Sequence, residues 1–272
     1  MRTGEPLMNR VARTWRDLKE KRKKALVPYI TPEYPFKGLT VPMLQRLAGA
    51  GADLIEVGVP FSDPLADGKT IQHSSEVALR HGVNLEFIFR SIEVFRQNSE
   101  IPVILMGYYN PILQYGVRKF SEQASLSGVD GVIIPDLPPE EASEVLRESR
   151  TAGLSNIFLM APTTPTERIR MIDAMSTDCS YCVSVTGVTG ARGEVGANGS
   201  LGGFLGRVKR SAKKPFVVGF GISTPAHVRE VWRHADGAVV GSALMDVLGR
   251  SQSADAALDA AETFFRSLRG EE

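Results

Sequence analysis

Cysteine is nearly missing from this 272-residue chain, which carries only Cys179 and Cys182. Their Cys-Ser-Tyr-Cys spacing resembles a redox or metal pair. The surrounding run to Val185 reads as a strand, however, where positions three apart point to opposite faces, and no histidine stands nearby. Packing is their expected role. Net charge is missing too: 32 lysines and arginines meet 31 aspartates and glutamates. No overall positive field exists to gather nucleic acid or anionic lipid. No run of roughly 18 apolar residues could span a bilayer, and Met1-Arg-Thr-Gly-Glu-Pro lacks the apolar core of a signal peptide. The expected compartment is the cytoplasm, with neither membrane nor nucleic acid as a partner. The one dense basic run, residues 19–24, ends an amphipathic stretch and reads as a solvated helix end that suits the helix dipole.

What is present is a rhythm. Hydrophobic residues at 43%, charged residues at 23%, 26 glycines and 16 prolines describe a globular chain with material for a large core. After an N-terminal helix over about residues 9–22, with Asn9 as its cap, eight short apolar runs alternate with helical stretches. The runs are Ala25–Ile30, Asp53–Val59, Pro102–Tyr108, Gly131–Pro135, Asn156–Ala161, Ser180–Val185, Phe216–Gly221 and Gly237–Ser242. The helical stretches are Val41–Ala50, Thr70–His81 with Leu85–Asn98, Val117–Ser127, Glu140–Ala152, Thr166–Met175, Gly202–Ala212, Pro225–His234 and Ala254–Arg269. Strands that are apolar throughout are covered on both faces. This favours an α/β fold closed into a (β/α)8 TIM barrel with an additional N-terminal helix, over a doubly wound open sheet. No Gly-x-Gly-x-x-Gly follows the first strand, so a dinucleotide site has no support. No linker divides residues 1–272, which read as one domain, with 1–8 a flexible extension.

In such barrels the chemistry sits at the carboxyl ends of the strands. Within Leu54–Gly68, Glu56 lies in an apolar strand and Asp67 closes a proline- and glycine-rich turn, ahead of Thr70-Ile-Gln72. A carboxyl in an apolar strand resists ionising and holds a proton near neutral pH, whereas one on a solvated loop stays charged. Alone, Glu56 would be a satisfied core carboxylate and Asp67 an ordinary turn residue. Together they propose an acid and a fixed anion. Late in the chain, Gly187-Val-Thr-Gly190, Gly219-Phe-Gly221 and Gly241-Ser242 combine glycine with hydroxyls at one corner, where backbone N–H groups and a helix N-terminus suit a phosphate. The glycine-rich segment 190–200 is expected to act as a lid over the barrel mouth.

The segments Glu56-Val-Gly-Val-Pro-Phe-Ser-Asp-Pro-Leu-Ala-Asp-Gly68, Leu105-Met-Gly-Tyr-Tyr-Asn-Pro111, Pro135-Asp-Leu-Pro-Pro139, Ser184-Val-Thr-Gly-Val-Thr-Gly-Ala-Arg192 and Val218-Gly-Phe-Gly-Ile-Ser223 resemble tryptophan synthase alpha chains. The likeness runs from about Asn9 to the last helix. It implies retro-aldol cleavage of indole-3-glycerol phosphate to indole and glyceraldehyde 3-phosphate, in tryptophan biosynthesis, with no metal and no cofactor in this chain. It further implies Glu56 as the acid protonating indole C3, Asp67 as the anion on the ring N–H, and Tyr181 as the active-site tyrosine. Tyr29 and Tyr108 would line the indole pocket. Gly190, Gly219, Phe220, Gly221, Gly241 and Ser242 would hold the phosphate, and Thr189 would close towards Asp67. The family implies an α2β2 heterotetramer that passes indole to a pyridoxal phosphate-dependent beta chain. Two departures sit at the mouth: Thr31-Pro-Glu-Tyr-Pro35 replaces Thr-Ala-Gly-Asp-Pro, and Lys69 stands where proline follows Asp-Gly.

Three rivals remain at this stage. A sugar-phosphate isomerase would share the phosphate corner but has no use for the Glu56 and Asp67 pair. A stand-alone indole-3-glycerol phosphate lyase would keep every catalytic residue and release free indole. A subunit that only activates a beta chain would not need the carboxylates.

Overall fold

The computed structural model describes residues 9–183, 201–219 and 221–270. Among them, nine short strands pair in parallel throughout: β1 Ala25–Ile30, β2 Ile55–Gly58, β3 Val103–Met106, β4 Gly131–Ile133, β5 Ser155–Asn156, β6 Leu159–Met160, β7 Ser180–Val183, β8 Phe216–Gly219 and β9 Gly237–Val240. Their spatial order is β5-β4-β3-β2-β1-β9-β8-β7-β6. The two ends of that order are parted by only Ile157 and Phe158. The Ile157 N–H donates to the Val132 carbonyl at 3.0 Å, and the Tyr181 N–H donates to the Phe158 carbonyl at 3.1 Å. One segment thus changes partner halfway along and closes the TIM barrel. The sequence predicts a single fifth strand over Asn156–Ala161; the structure corrects it to two pieces, because the chain must serve β4 and β7 in turn.

Except for β1, the strands are shorter than their apolar runs, as in β8 and β9, where the last two residues of the run leave the ladder to build the mouth. The helices are α1 Arg10–Glu20, α2 Thr40–Gly49, α3 Lys69–Arg80, α4 Leu85–Arg96, α5 Tyr109–Tyr115, α6 Val117–Ser127, α7 Ser143–Thr151, α8 Thr166–Met175, α9 Leu201–Ser211, α10 Pro225–His234, α11 Ser242–Gly249 and α12 Ala254–Arg269. Four match the sequence expectation to the residue: α6, α8, α10 and α12. The sequence does not announce α5, and it marks α11 only by the Gly241-Ser242 pair that opens it, since each is under three turns and too short to show a full apolar period.

Packing explains the closure. Phe95, Phe120, Phe204 and Phe265 are fully buried on α4, α6, α9 and α12, each contributing about 1.5–3 kcal/mol by leaving water. Helix α1 lies across the amino end of the barrel. Its cap Asn9 accepts from the Ala12 N–H at 2.9 Å while donating to Ser155 Oγ at 2.8 Å. Trp15 reaches the β9 start, where a Cβ on Gly237 would lie 3.3 Å from its ring. Cys179 and Cys182 are both free and buried, and burial pushes both thiols up. They are poor nucleophiles, as the strand reading implies.

The departure after β1 has a structural account. Glu33 adopts φ +56°, a left-handed conformation that glycine tolerates best. Its buried carboxylate accepts from the Thr40 hydroxyl at 2.7 Å and the Thr40 N–H at 3.2 Å, and also from the Gly38 N–H. Glu33 therefore caps the start of α2, and those charge-assisted bonds offset the strained backbone.

Candidate active site

Glu56 sits in β2, paired in register with Tyr29 on one side and Ile104 on the other. Residues opposite one another in parallel strands share a face, so Glu56 and Tyr29 point the same way. Only 3% of Glu56 is exposed. Its carboxyl makes no hydrogen bond among the described residues, and Oε2 is buried without a partner. Burial alone pushes its pKa up to about 8, so at neutral pH it is a protonated acid, as the apolar strand predicts. An orphaned buried carboxyl costs stability.

Tyr181 lies in β7, across the barrel from β2. Burial raises its hydroxyl, and the next contributions come from Glu56 and Tyr29, with Asp67 also in range. Tyr29 is raised by burial first, then by Asp67, with Glu56 contributing less. Tyr29 and Tyr181 therefore each lie within electrostatic reach of both Glu56 and Asp67. Two glycines make room for the tyrosines. A Cβ on Gly58 would lie 2.0 Å from the Tyr29 hydroxyl, and one on Gly219 would lie 2.0 Å from the Tyr181 hydroxyl. Gly58 was not singled out in the sequence, and its signal is the bare Val-Gly-Val of the strand end.

Asp67 corrects one expectation. It is not a solvated turn residue: it is half-buried, and burial raises its carboxyl to about 6 while the Tyr108 hydroxyl pulls it back down. It is still mostly ionised at pH 7. Its loop is held by Gln72, whose Nε2 donates to the Asp67 carbonyl at 2.8 Å, and by its own N–H to the Pro64 carbonyl at 3.0 Å. Tyr108 packs on Phe61, ring centroids 5.4 Å apart, and accepts from the Ala66 N–H at 2.9 Å. That bond fixes the tyrosine beside Asp67. Asp136, at the end of the β4 loop, accepts from the Tyr109 N–H at 2.9 Å and so orients the start of α5.

The glycine corner is partly described. Gly219 ends β8, Gly221 has φ +37°, and Gly241 precedes Ser242, the exposed first residue of α11. A Cβ on Gly241 would lie 3.5 Å from the Tyr29 Cβ and 3.7 Å from its ring, so the corner adjoins the tyrosine wall. Thr189, Gly190, Phe220 and the expected lid over 190–200 lie outside the described residues. Among the described residues there is no cluster of three or more metal-ligating side chains and no helix long and apolar enough to cross a membrane.

The sequence profile for "Tryptophan synthase alpha chain" matches residues 15–270. A tryptophan synthase alpha chain from Roseiflexus castenholzii is 50% identical over 264 residues, covering 97% of this chain and all of the relative. One from Chlorobium chlorochromatii is 44% identical, covering 96% and 99%. Among solved structures, the alpha subunit from Legionella pneumophila superposes with a TM-score of 0.88 at 39% identity, covering 97% and 98% of the two chains. A structure concerned with mutual activation in the tryptophan synthase α2β2 complex of Pyrococcus furiosus gives 0.83 at 42% identity, covering 90% and 98%.

Proposed function

The chain belongs to the tryptophan synthase alpha chain family, and from that premise we propose that it cleaves indole-3-glycerol phosphate to indole and glyceraldehyde 3-phosphate through Glu56 and Asp67. The observation that carries this reading is the unpartnered, buried Glu56 carboxyl, held protonated near neutral pH within electrostatic reach of Tyr29 and Tyr181.

The chemistry follows from those two carboxyls. Glu56 gives its proton to indole C3, which interrupts the ring's conjugation and leaves positive charge on the indole nitrogen. Asp67, ionised at pH 7, binds the ring N–H and stabilises that charge, worth a few kcal/mol of barrier when placed in advance. Glu56, now a carboxylate, takes the proton from the chain hydroxyl. The carbon–carbon bond breaks, its electron pair flows back into the ring, and the aldehyde forms. Glu56 ends protonated, so the cycle closes without a cofactor in this chain. Tyr29 and Tyr108 wall the indole, with Tyr181 across from Glu56. Gly190, Gly219, Phe220, Gly221, Gly241 and Ser242 hold the phosphate, and Thr189 approaches Asp67 on closure.

The reading treats residues 1–272 as one cytoplasmic barrel domain. It joins a beta chain in an α2β2 heterotetramer, with pyridoxal phosphate bound in the beta chain. The test is indole release from indole-3-glycerol phosphate, with and without a beta chain, for the natural chain and for Glu56→Gln. The expected result is indole from the natural chain, more of it with a beta chain, and loss of at least about a hundredfold in the variant. No indole from the natural chain in either arm would end the proposal. Equal rates in both arms would favour the stand-alone lyase.

A further inference from the structure

A second cleft, of about 740 Å³, opens at the other end of the barrel. It lies where β1, β9 and β8 begin, between the last turns of α1 and α9. Eight of the chain's 32 lysines and arginines line it, but only one of its 31 aspartates and glutamates, Asp236. The rest of the chain therefore carries more carboxylates than cations.

Three of the eight cations are engaged. Arg16 pairs with Asp17 at 3.2 Å, Lys24 with Asp236 at 3.0 Å, and the Lys214 ammonium donates to the Asp173 carbonyl. Five have no ion-pair partner among the described residues: Lys19, Arg22 and Lys23 from the α1 end, Lys209 and Lys213 from the α9 end. The sequence shows residues 19–24 as a solvated helix end. It does not show that the fold sets this run opposite a second one. A helix C-terminus offers about half a negative charge, enough to account for a single cation at each end. Five unpaired like charges around one concavity repel one another unless something anionic joins them.

We propose that this cleft is a binding site for a compact polyphosphate anion, separate from the catalytic cavity. Lysine is a flexible point-charge donor that suits phosphate oxygens without fixed bidentate geometry. The volume exceeds that of one phosphate group, and the cations approach from two sides. The excess of carboxylates elsewhere on the chain opposes a long polyanion that would run beyond the cleft.

The test uses the full-length chain and inorganic tripolyphosphate, titrated calorimetrically at low and moderate salt. Two variants locate the site: Lys19→Gln with Lys213→Gln at this cleft, and Ser242→Asp at the catalytic phosphate corner. Expected are one saturable site that weakens as salt rises, at least about tenfold weaker binding in the lysine double variant, and unchanged binding in Ser242→Asp. The lysine variant should keep natural rates of indole release, and without ligand at low salt its Tm should equal or exceed that of the natural chain. The proposal is overturned by absence of saturable binding, by loss in Ser242→Asp but not in the lysine variant, or by a lower Tm that marks the lysines as structural. Tight binding to a 20-nucleotide RNA or to anionic vesicles with none to tripolyphosphate would likewise overturn it.

Discussion

Glu56 and Asp130 are buried to nearly the same depth, 3% and 4% exposed, yet the barrel treats them in opposite ways. Asp130, just ahead of β4, is fully furnished. Its Oδ2 meets Arg96 Nη2 at 2.6 Å and accepts from the Val103 N–H at 2.8 Å, while Oδ1 meets Arg10 at 3.1 Å. Burial pushes its carboxyl up, and those partners pull it back towards the charged form. Glu56 is given nothing but burial. One carboxylate is made into a joint between α1, α4 and β3. The other is left unsatisfied and so keeps a proton it can donate. Within one core, the absence of partners leaves one carboxyl protonated and their abundance makes the other a structural joint.

Removing either side chain should break the comparison in a different currency. Asp130→Ala leaves the Arg96 guanidinium, which is 9% exposed, without its carboxylate and with only the Gly128, Ser99 and Ile101 carbonyls as partners, and should destabilise the fold by about 3 kcal/mol. Urea unfolding measures this, and a loss under about 1 kcal/mol would mean the joint is unimportant. Glu56→Gln should do the reverse, cutting indole formation at least about a hundredfold, near 2.7 kcal/mol of barrier, without weakening the fold.

The same contrast predicts a pH signature. The folded Glu56 pKa of about 8 lies above its ordinary 4.5, so the native state binds more protons between those values. Stability from this group is therefore lost as pH rises from about 4.5 to about 8. At pH 9 the Gln variant should exceed the natural chain in stability by on the order of a few kcal/mol; parallel stability-against-pH curves for the two would contradict the buried acid. In catalysis, kcat/KM should rise as Asp67 ionises near about 6 and fall as Glu56 loses its proton near about 8. The Gln variant should lack the alkaline fall in whatever activity remains.

The smallest effect concerns Tyr108. Tyr108→Phe keeps the ring on Phe61 but removes the hydroxyl that favours the charged form of Asp67. The acid limb should shift to higher pH, with activity at pH 7 down several-fold. An unmoved limb would show that Asp67 is held by its loop alone.

Much of this was legible in the sequence because local and global signals agree. Parallel strands covered on both faces are apolar from end to end, and β1 was read with its bounds correct. Asn9 was legible as a cap because its chemistry is local. The split of β5 from β6 was not, since only ring closure forces the segment to change partners. Glu56 was readable from its apolar neighbours. The partial burial of Asp67 is not legible, because its hydrogen-bond partner Tyr108 stands 41 positions away in the chain and nothing in a turn of prolines and glycines announces it. Glu33, standing where the family pattern has glycine, could be flagged as a departure, but its capping of α2 needed coordinates.

The two bare positions in the barrel wall carry a consequence for how such a cavity can change over time. With 2.0 Å between an added Cβ at Gly58 or Gly219 and the hydroxyl it would meet, a side chain at either glycine and the tyrosine that faces it compete for the same space. A methyl group at 58 is admissible only alongside a shorter side chain at 29, and one at 219 only alongside a shorter one at 181. A change at either glycine is thus coupled to its tyrosine, and the first step reshapes the wall that Tyr29 and Tyr181 form.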